Sequence, residues 1–201
     1  MDKRKEEIIE VAVRRFSHYG FSKTTMNEIA DDLKITKANL YYYYPDKNGL
    51  IKDVICSISN VLLTQEGEMV SEYEGDFLGT LFALLKFRAE HMRKYYMFYI
   101  NETLDWVKDV DFQAFMKEIE KRDLEILKSL LQQAVEKGTL KLNNIDQSVL
   151  VLRNIIKGIV INHTMGDVIC GLPNVENIDK ILEDQMEAMK LIFEERLVTD
   201  K

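Results

Sequence analysis

The stretch TKANLYYYYPDK, residues 36–47, sets four consecutive tyrosines between a lysine and a Pro-Asp-Lys turn. Four neighbours on a helix point in four directions, so Tyr41 to Tyr44 cannot all be core. A bare aromatic surface is unusual on a soluble protein. Thr36 can cap a short helix here. Pro45 ends it, because proline disfavours helical geometry in the residue before it. At about 100° per residue, Leu40 and Tyr44 share one face and turn inward. Thr36, Lys37, Asn39, Tyr41, Tyr42 and Tyr43 then cover the outer arc and flanks. Each phenol offers an apolar ring and a hydroxyl that donates or accepts. Against a duplex, the ring can pack on sugar or a thymine methyl while the hydroxyl meets a phosphate. The plainer alternative is a partly buried tyrosine cluster with wet tips.

The residues upstream favour the first reading. Residues 3–19 carry Ile8, Ile9, Ala12, Val13 and Phe16 at helical spacing, and Gly20 supplies a stop. Thr25 and Glu28 form a capping box that opens a helix with Met26, Ile29, Ala30 and Leu33 on its buried side. A tight Lys34-Ile35 connection leads into the tyrosine helix. One long helix and two short ones joined this way make a helix-turn-helix, whose second short helix normally enters the major groove. Asp46 caps a fourth helix, residues 46–65, with Leu50, Ile51, Val54, Ile55, Ile58 and Val61.

Net charge is −7, which looks wrong for a nucleic-acid binder. The average hides a split: residues 1–52 hold ten Lys/Arg against eight Asp/Glu, the remainder seventeen against twenty-six. Binding needs a local patch rather than a basic protein. With 201 residues, 46% of them hydrophobic, the chain can build a real core. Two prolines and few glycines point to an all-α fold. No run approaches the ~20 apolar residues of a membrane span, and the charged N-terminus lacks a secretory apolar block. Cys56 and Cys170 form no close pair, which suits a reduced, cytoplasmic protein. No glycine-rich phosphate loop, HExxH or nucleophile elbow is present, so no enzyme, cofactor or metal site is expected.

Residues 8–55 resemble the DNA-binding domain of tetracycline-repressor-type (TetR-family) regulators. The resemblance is carried at fixed spacing by Ile8, Ile9, Ala12, Phe16, Gly20, Thr25, Ile29, Ala30, Leu33, Ile35, Leu40, Tyr41, Tyr44, Lys47 and Leu50. It implies a helix-turn-helix domain over residues 1–46 and a helical effector-binding and dimerisation domain over residues 47–201. It also implies double-stranded DNA with a palindromic operator as partner, a homodimer, and a repressor released by a small molecule. Thr25, Tyr41, Tyr42 and Lys47 are placed by it on the DNA backbone; Thr36, Lys37 and Asn39 are placed near base edges. Two positions depart from the pattern. Lys34 stands where the family often has glycine, and Tyr44, which needs a hydroxyl partner if buried, stands where phenylalanine is usual.

Beyond residue 66 the pattern reads as a connector at 67–75 and helices at 77–101, 112–137, 147–165 and 177–197. Asp146 is the expected cap of the fourth of these five segments. The last two helices are expected to pair with their copies through Leu152, Ile156, Ile159, Ile181, Met189 and Ile192. An apolar effector pocket is expected from Phe82, Tyr95, Phe98, Tyr99, Trp106, Phe112, Phe115, Met116 and Met165, with His91, Glu102 and Asn162 as polar anchors. Ordinary core packing is the bland account of each aromatic. An all-helical adaptor using the Tyr41–Tyr44 patch, or an activator of the same fold, are the competing functions.

Overall fold

The computed structural model describes residues 2–98, 110–170 and 174–198; the side chains of Met97, Val110, Asp111 and Phe112 are outside that description, as are residues 99–109. α1 (Lys3–Lys23) opens on Asp2, whose carboxylate accepts from the Arg4 N–H. Gly20, at φ 78°, breaks the helical run where the sequence placed its stop, and the chain turns through Phe21. α2 (Met26–Asp32) carries the capping box in full: Thr25 accepts from the Glu28 N–H, and Glu28 accepts from the Thr25 N–H. α3 (Lys37–Tyr43) is capped by Thr36. Arg15 straps α1 to α2 with a fork onto Asp32 at 2.6 and 2.9 Å.

The turn between α2 and α3 passes through Lys34 at φ 55°, the single non-glycine at positive φ among the described residues. A side chain there costs ~1–2 kcal/mol of steric strain. Leu40 (0% exposed) and Tyr44 (3% exposed) point into a core with Ile8, Ala12, Phe16 and Ile29. The Tyr44 hydroxyl finds its partner on the next helix, donating to Asp53 at 2.8 Å.

α4 (Lys47–Ser71) is capped by Asp46, which accepts from the Gly49 N–H at 2.8 Å. It runs on into the segment read as a connector, as far as Ser71, because Leu63, Glu66 and Val70 extend its buried face. Leu50, Ile51, Val54 and Ile58 of α4 belong to the N-terminal core. α5 (Phe77–Lys94) stops well short of residue 101. A single 3-10 turn, Tyr96–Phe98, follows and folds back on α1, with the Phe98 and Phe21 rings 5.0 Å apart edge-to-face.

α6 (Val110–Glu136), α7 (Ile145–Cys170) and α8 (Asn177–Phe193) complete the chain. α7 continues past residue 165 into a stretch read as loop. Its cap is Asn144, which accepts from the Gln147 N–H at 2.9 Å; Asp146 lies inside the helix, paired with Lys128 at 2.5 Å. The large core packs Leu81, Leu84 and Leu85 of α5 against Leu127, Leu130 and Leu131 of α6, closed by α7 and α8. Among the described residues no helix is long and apolar enough to cross a membrane.

His91 of α5 ties the two cores together. It is buried, its Nε2 lies 3.3 Å from the Ile58 carbonyl of α4, and its Nδ1 has no hydrogen-bond partner among the described residues. Burial lowers its pKa below the ordinary 6.5. Below about pH 6.5 the unfolded chain therefore takes up a proton that the folded chain refuses, and stability present above that pH is lost as the pH falls. Urea unfolding should show a larger loss between about pH 7.5 and pH 5.5 for wild type than for His91→Phe; equal losses would contradict this. Lys34→Gly should raise stability by roughly 1 kcal/mol, read from the same urea midpoints, through relief of the left-handed strain.

Candidate nucleic-acid interface and ligand cavity

α3 is amphipathic in an unusual sense: its outer side is aromatic and polar together. Tyr42 is 81% exposed, with its ring edge-on to Tyr43 at 5.3 Å; Tyr43 rests on the N-terminal core. Tyr41 is exposed and carries the Lys37 ammonium 5.6 Å from its ring centre. Thr36 and Asn39 are exposed beside them, and Thr25 is exposed at the start of α2. The rod offers hydroxyls, an amide and an ammonium on one short helix.

Lys47 differs from the others. Its ammonium is half-buried, hydrogen-bonded to the Phe21 carbonyl, and burial lowers its pKa. It closes the chain end left open by the Gly20 break rather than projecting outward.

The second site is a cavity of about 350 Å³ bounded by α4, α5, α6, α7 and α8. Leu62, Leu63, Met92, Met116, Ile119 and Val160 give it apolar walls. One wall is charged. Arg88 forks onto Glu66 at 2.5 and 2.8 Å and reaches Asp123 at 2.6 Å. Arg153 adds a 3.3 Å bond to the other Asp123 oxygen. Its Nη2 lies 3.0 Å from Glu120, an ion pair without hydrogen-bond alignment. Lys157 reaches the same Glu120 oxygen at 3.1 Å. Burial pushes the fully enclosed Glu66 carboxyl up while Arg88 draws it back. The Lys157 hydrogen bond holds Glu120 below its ordinary value.

Residues 8–54 match the family described as bacterial regulatory proteins, tetR family. Over its length the chain also superposes on the crystal structure of a transcriptional regulator from Cytophaga hutchinsonii, with a TM-score of 0.82 and 26% identity, covering 96% of this chain and 99% of that one. The chain belongs to the TetR family.

This TetR-family regulator is similar to the uncharacterized HTH-type transcriptional regulator YhgD of Bacillus subtilis, 23% identical over 141 residues, which are 69% of this chain and 72% of the relative. It is also similar to the probable acrEF/envCD operon repressor of Escherichia coli, 36% identical over 52 residues. That match takes in 26% of this chain and spans only about a quarter, 24%, of the relative.

The expected pocket residues scatter. Met116 lines the cavity. Phe82 packs on the large core, while Tyr95 and Phe98 pack on the N-terminal core. His91 is held against α4, off the cavity wall. Phe115 is half-buried but is not on the wall, and Asn162 and Met165 stand on the outer side of α7. Tyr99, Glu102, Trp106 and the Phe112 side chain lie outside the described residues. The described rings are taken up by core packing, Phe82 on the large core and Tyr95 and Phe98 on the N-terminal one. The charged wall carried a better signal: Glu66 interrupts the stripe Ile58, Leu63, Val70, and Arg88 sits one turn from Leu84, Leu85 and Met92.

The expected dimer residues are engaged largely within the monomer. Leu152, Ile156, Ile181 and Met189 are buried within the monomer, and Ile159 and Ile192 are half-buried against its cores. The most apolar side of each helix is used up internally. What α7 leaves exposed is a second stripe of Val151, Ile161, Met165, Val168 and Ile169, interleaved with the open Gly158 and Gly166.

If the rod grips DNA as its exposure suggests, Tyr42→Ala should weaken binding to all duplexes alike. Asn39→Ala should relax preference at one base pair, by about 1–3 kcal/mol of discrimination. Fluorescence anisotropy on a matched and a mismatched duplex separates the two patterns.

Proposed function

We propose that the protein is a homodimeric repressor that reads a palindromic operator with α3 and is released by a small, largely apolar molecule. The observation that carries this reading is the outward presentation of Lys37, Asn39, Tyr41 and Tyr42 on a helix whose inward side is fully satisfied by Leu40 and Tyr44. A helix anchored so firmly on one side can press the other into a groove without reorganising. The repressor role draws support from the Escherichia coli relative, which is named a probable operon repressor.

Two-fold pairing through the exposed stripe of α7 fits the chemistry of that face. Five large aliphatic or thioether side chains line up at helical spacing, and two glycines permit close approach. Two reading heads would then meet half-sites one helical turn apart, roughly 34–36 Å.

The effector is assigned to the 350 Å³ cavity. Leu62 and Leu63 of α4 form part of its wall, and the same helix continues into the N-terminal core through Leu50 to Ile58. An occupant that favours one packing of α4 shifts the heads with it. A coupling of ~1–3 kcal/mol would change operator affinity roughly 5–150-fold, and operator would weaken effector binding by the same factor.

Selection of bound duplexes from a random pool should return a palindromic consensus; an asymmetric or absent consensus would sink the proposal. Met165→Glu together with Ile169→Glu should yield a monomer by sedimentation, with circular dichroism unchanged and operator affinity reduced at least tenfold. A double variant that stays dimeric would place the interface elsewhere.

A further inference from the structure

Resting on the assignment of the effector to the cavity, we propose that the cavity selects an uncharged amphiphile. Its occupant would have a slender apolar body ending in a hydroxyl or amide, and charged molecules of the same shape would be rejected.

The charged wall is balanced in charge, although the Arg153 Nη2 keeps no hydrogen-bond partner among the described residues. Glu66, Asp123 and Glu120 supply three carboxylates, and Arg88, Arg153 and Lys157 supply three cations. Each member already has a counter-ion within 3.3 Å. The innermost, Glu66, is fully enclosed and uses both oxygens on Arg88. A ligand carboxylate placed on Arg88 or Lys157 would sit beside Asp123 or Glu120, already held there, and be repelled by it. A ligand ammonium placed on Asp123 would sit beside Arg88 and Arg153 and be repelled by both. Glu66, Arg88 and Asp123 are enclosed, and placing an unpaired charge beside them is strongly unfavourable, so a balanced wall discriminates against either sign.

Two polar groups on the lining stand outside this network. Gln185 is 4% exposed and its Nε2 donates to the Ile156 carbonyl at 2.9 Å. Its side-chain oxygen has no partner among the described residues and is left to accept. Ser59 also lines the cavity, and its hydroxyl makes no hydrogen bond among the described residues. One acceptor and one rotatable hydroxyl match a neutral group that both donates and accepts. The rest of the lining is aliphatic, with Met92 and Met116 able to adapt to differing chains. A volume of about 350 Å³ is at the small end of ligand sites and suits a medium-length chain.

The test uses the full chain and a displaceable fluorescent probe, N-phenyl-1-naphthylamine. 1-Decanol, decanoate and decyltrimethylammonium compete below their micellar concentrations. Decanol should displace the probe at a concentration at least tenfold lower than either charged analogue. Because decanol is also the most water-averse of the three, the deciding comparison is between proteins. Glu120→Gln, at a half-exposed position, leaves the wall with one excess cation. It should improve decanoate binding about tenfold, with decanol unchanged and decyltrimethylammonium no better. Charged analogues that match decanol on wild type, or a Glu120→Gln protein that still rejects decanoate, would overturn the inference. Val160→Trp fills the cavity, and Ser59→Phe does so should the first variant fail to fold. If decanol still displaces the probe from a folded, filled variant, the cavity itself is misassigned, which is a separate failure from that of ligand class.

Discussion

Two side chains decide which way α3 faces. Leu40 and Tyr44 are anchored between Phe16, Ile29 and the start of α4, and the Tyr44 hydroxyl is fixed by Asp53. Rotating the helix by one residue would bury Tyr41 and expose Leu40. That would replace a fully packed aliphatic chain with a phenol lacking a partner. The direction of the aromatic rod therefore follows from the core beneath it. Whatever the rod grips is presented by packing energy, without a contribution from the partner.

A second constraint runs through the larger domain. α4 serves two cores at once, with Leu50 to Ile58 in one and Val70 in the other. Between them sits Glu66, the enclosed acid held by Arg88 of α5. The chain of ion pairs continues through Asp123 of α6 to Arg153 of α7. Four helices thus share one electrostatic unit beside the cavity. Such a unit has few satisfactory arrangements, since each displaced member leaves another bare. Discrete arrangements, rather than continuous deformation, are what a ligand-controlled switch requires.

The sequence was most legible where short-range chemistry dominates. Capping residues Thr25, Thr36 and Asp46, the break at Gly20 and the inward pair Leu40 and Tyr44 depend on neighbours within a few positions. They stand as read. Legibility failed where a residue's partner lies far along the chain. Leu152, Ile156 and Met189 looked like an interface because their stripe is the most apolar, but the monomer's own core claims them first. Tyr95 and Phe98 looked like a pocket because rings cluster there. They pack on the N-terminal core, and Phe21 could not be assigned as the neighbour of Phe98 from spacing alone. The run at 67–75 read as a linker because its charges mask Glu66 and Val70 as a continuing buried side.

The edge-to-face contact of Phe98 on Phe21 has a consequence for how this architecture can be recombined. A cut at residue 46 would sever Leu50, Ile51, Val54 and Ile58 from the N-terminal core and strip Phe98 from its surface. The reading head is thus not an interchangeable cassette. A chimera that keeps it intact must bring along the first turns of α4, through Ile58, and preserve a ring in the 3-10 turn after α5. Divergence of specificity between heads and sensors is then constrained to co-vary across a seam some eighty residues apart in the chain, linking positions 21 and 98.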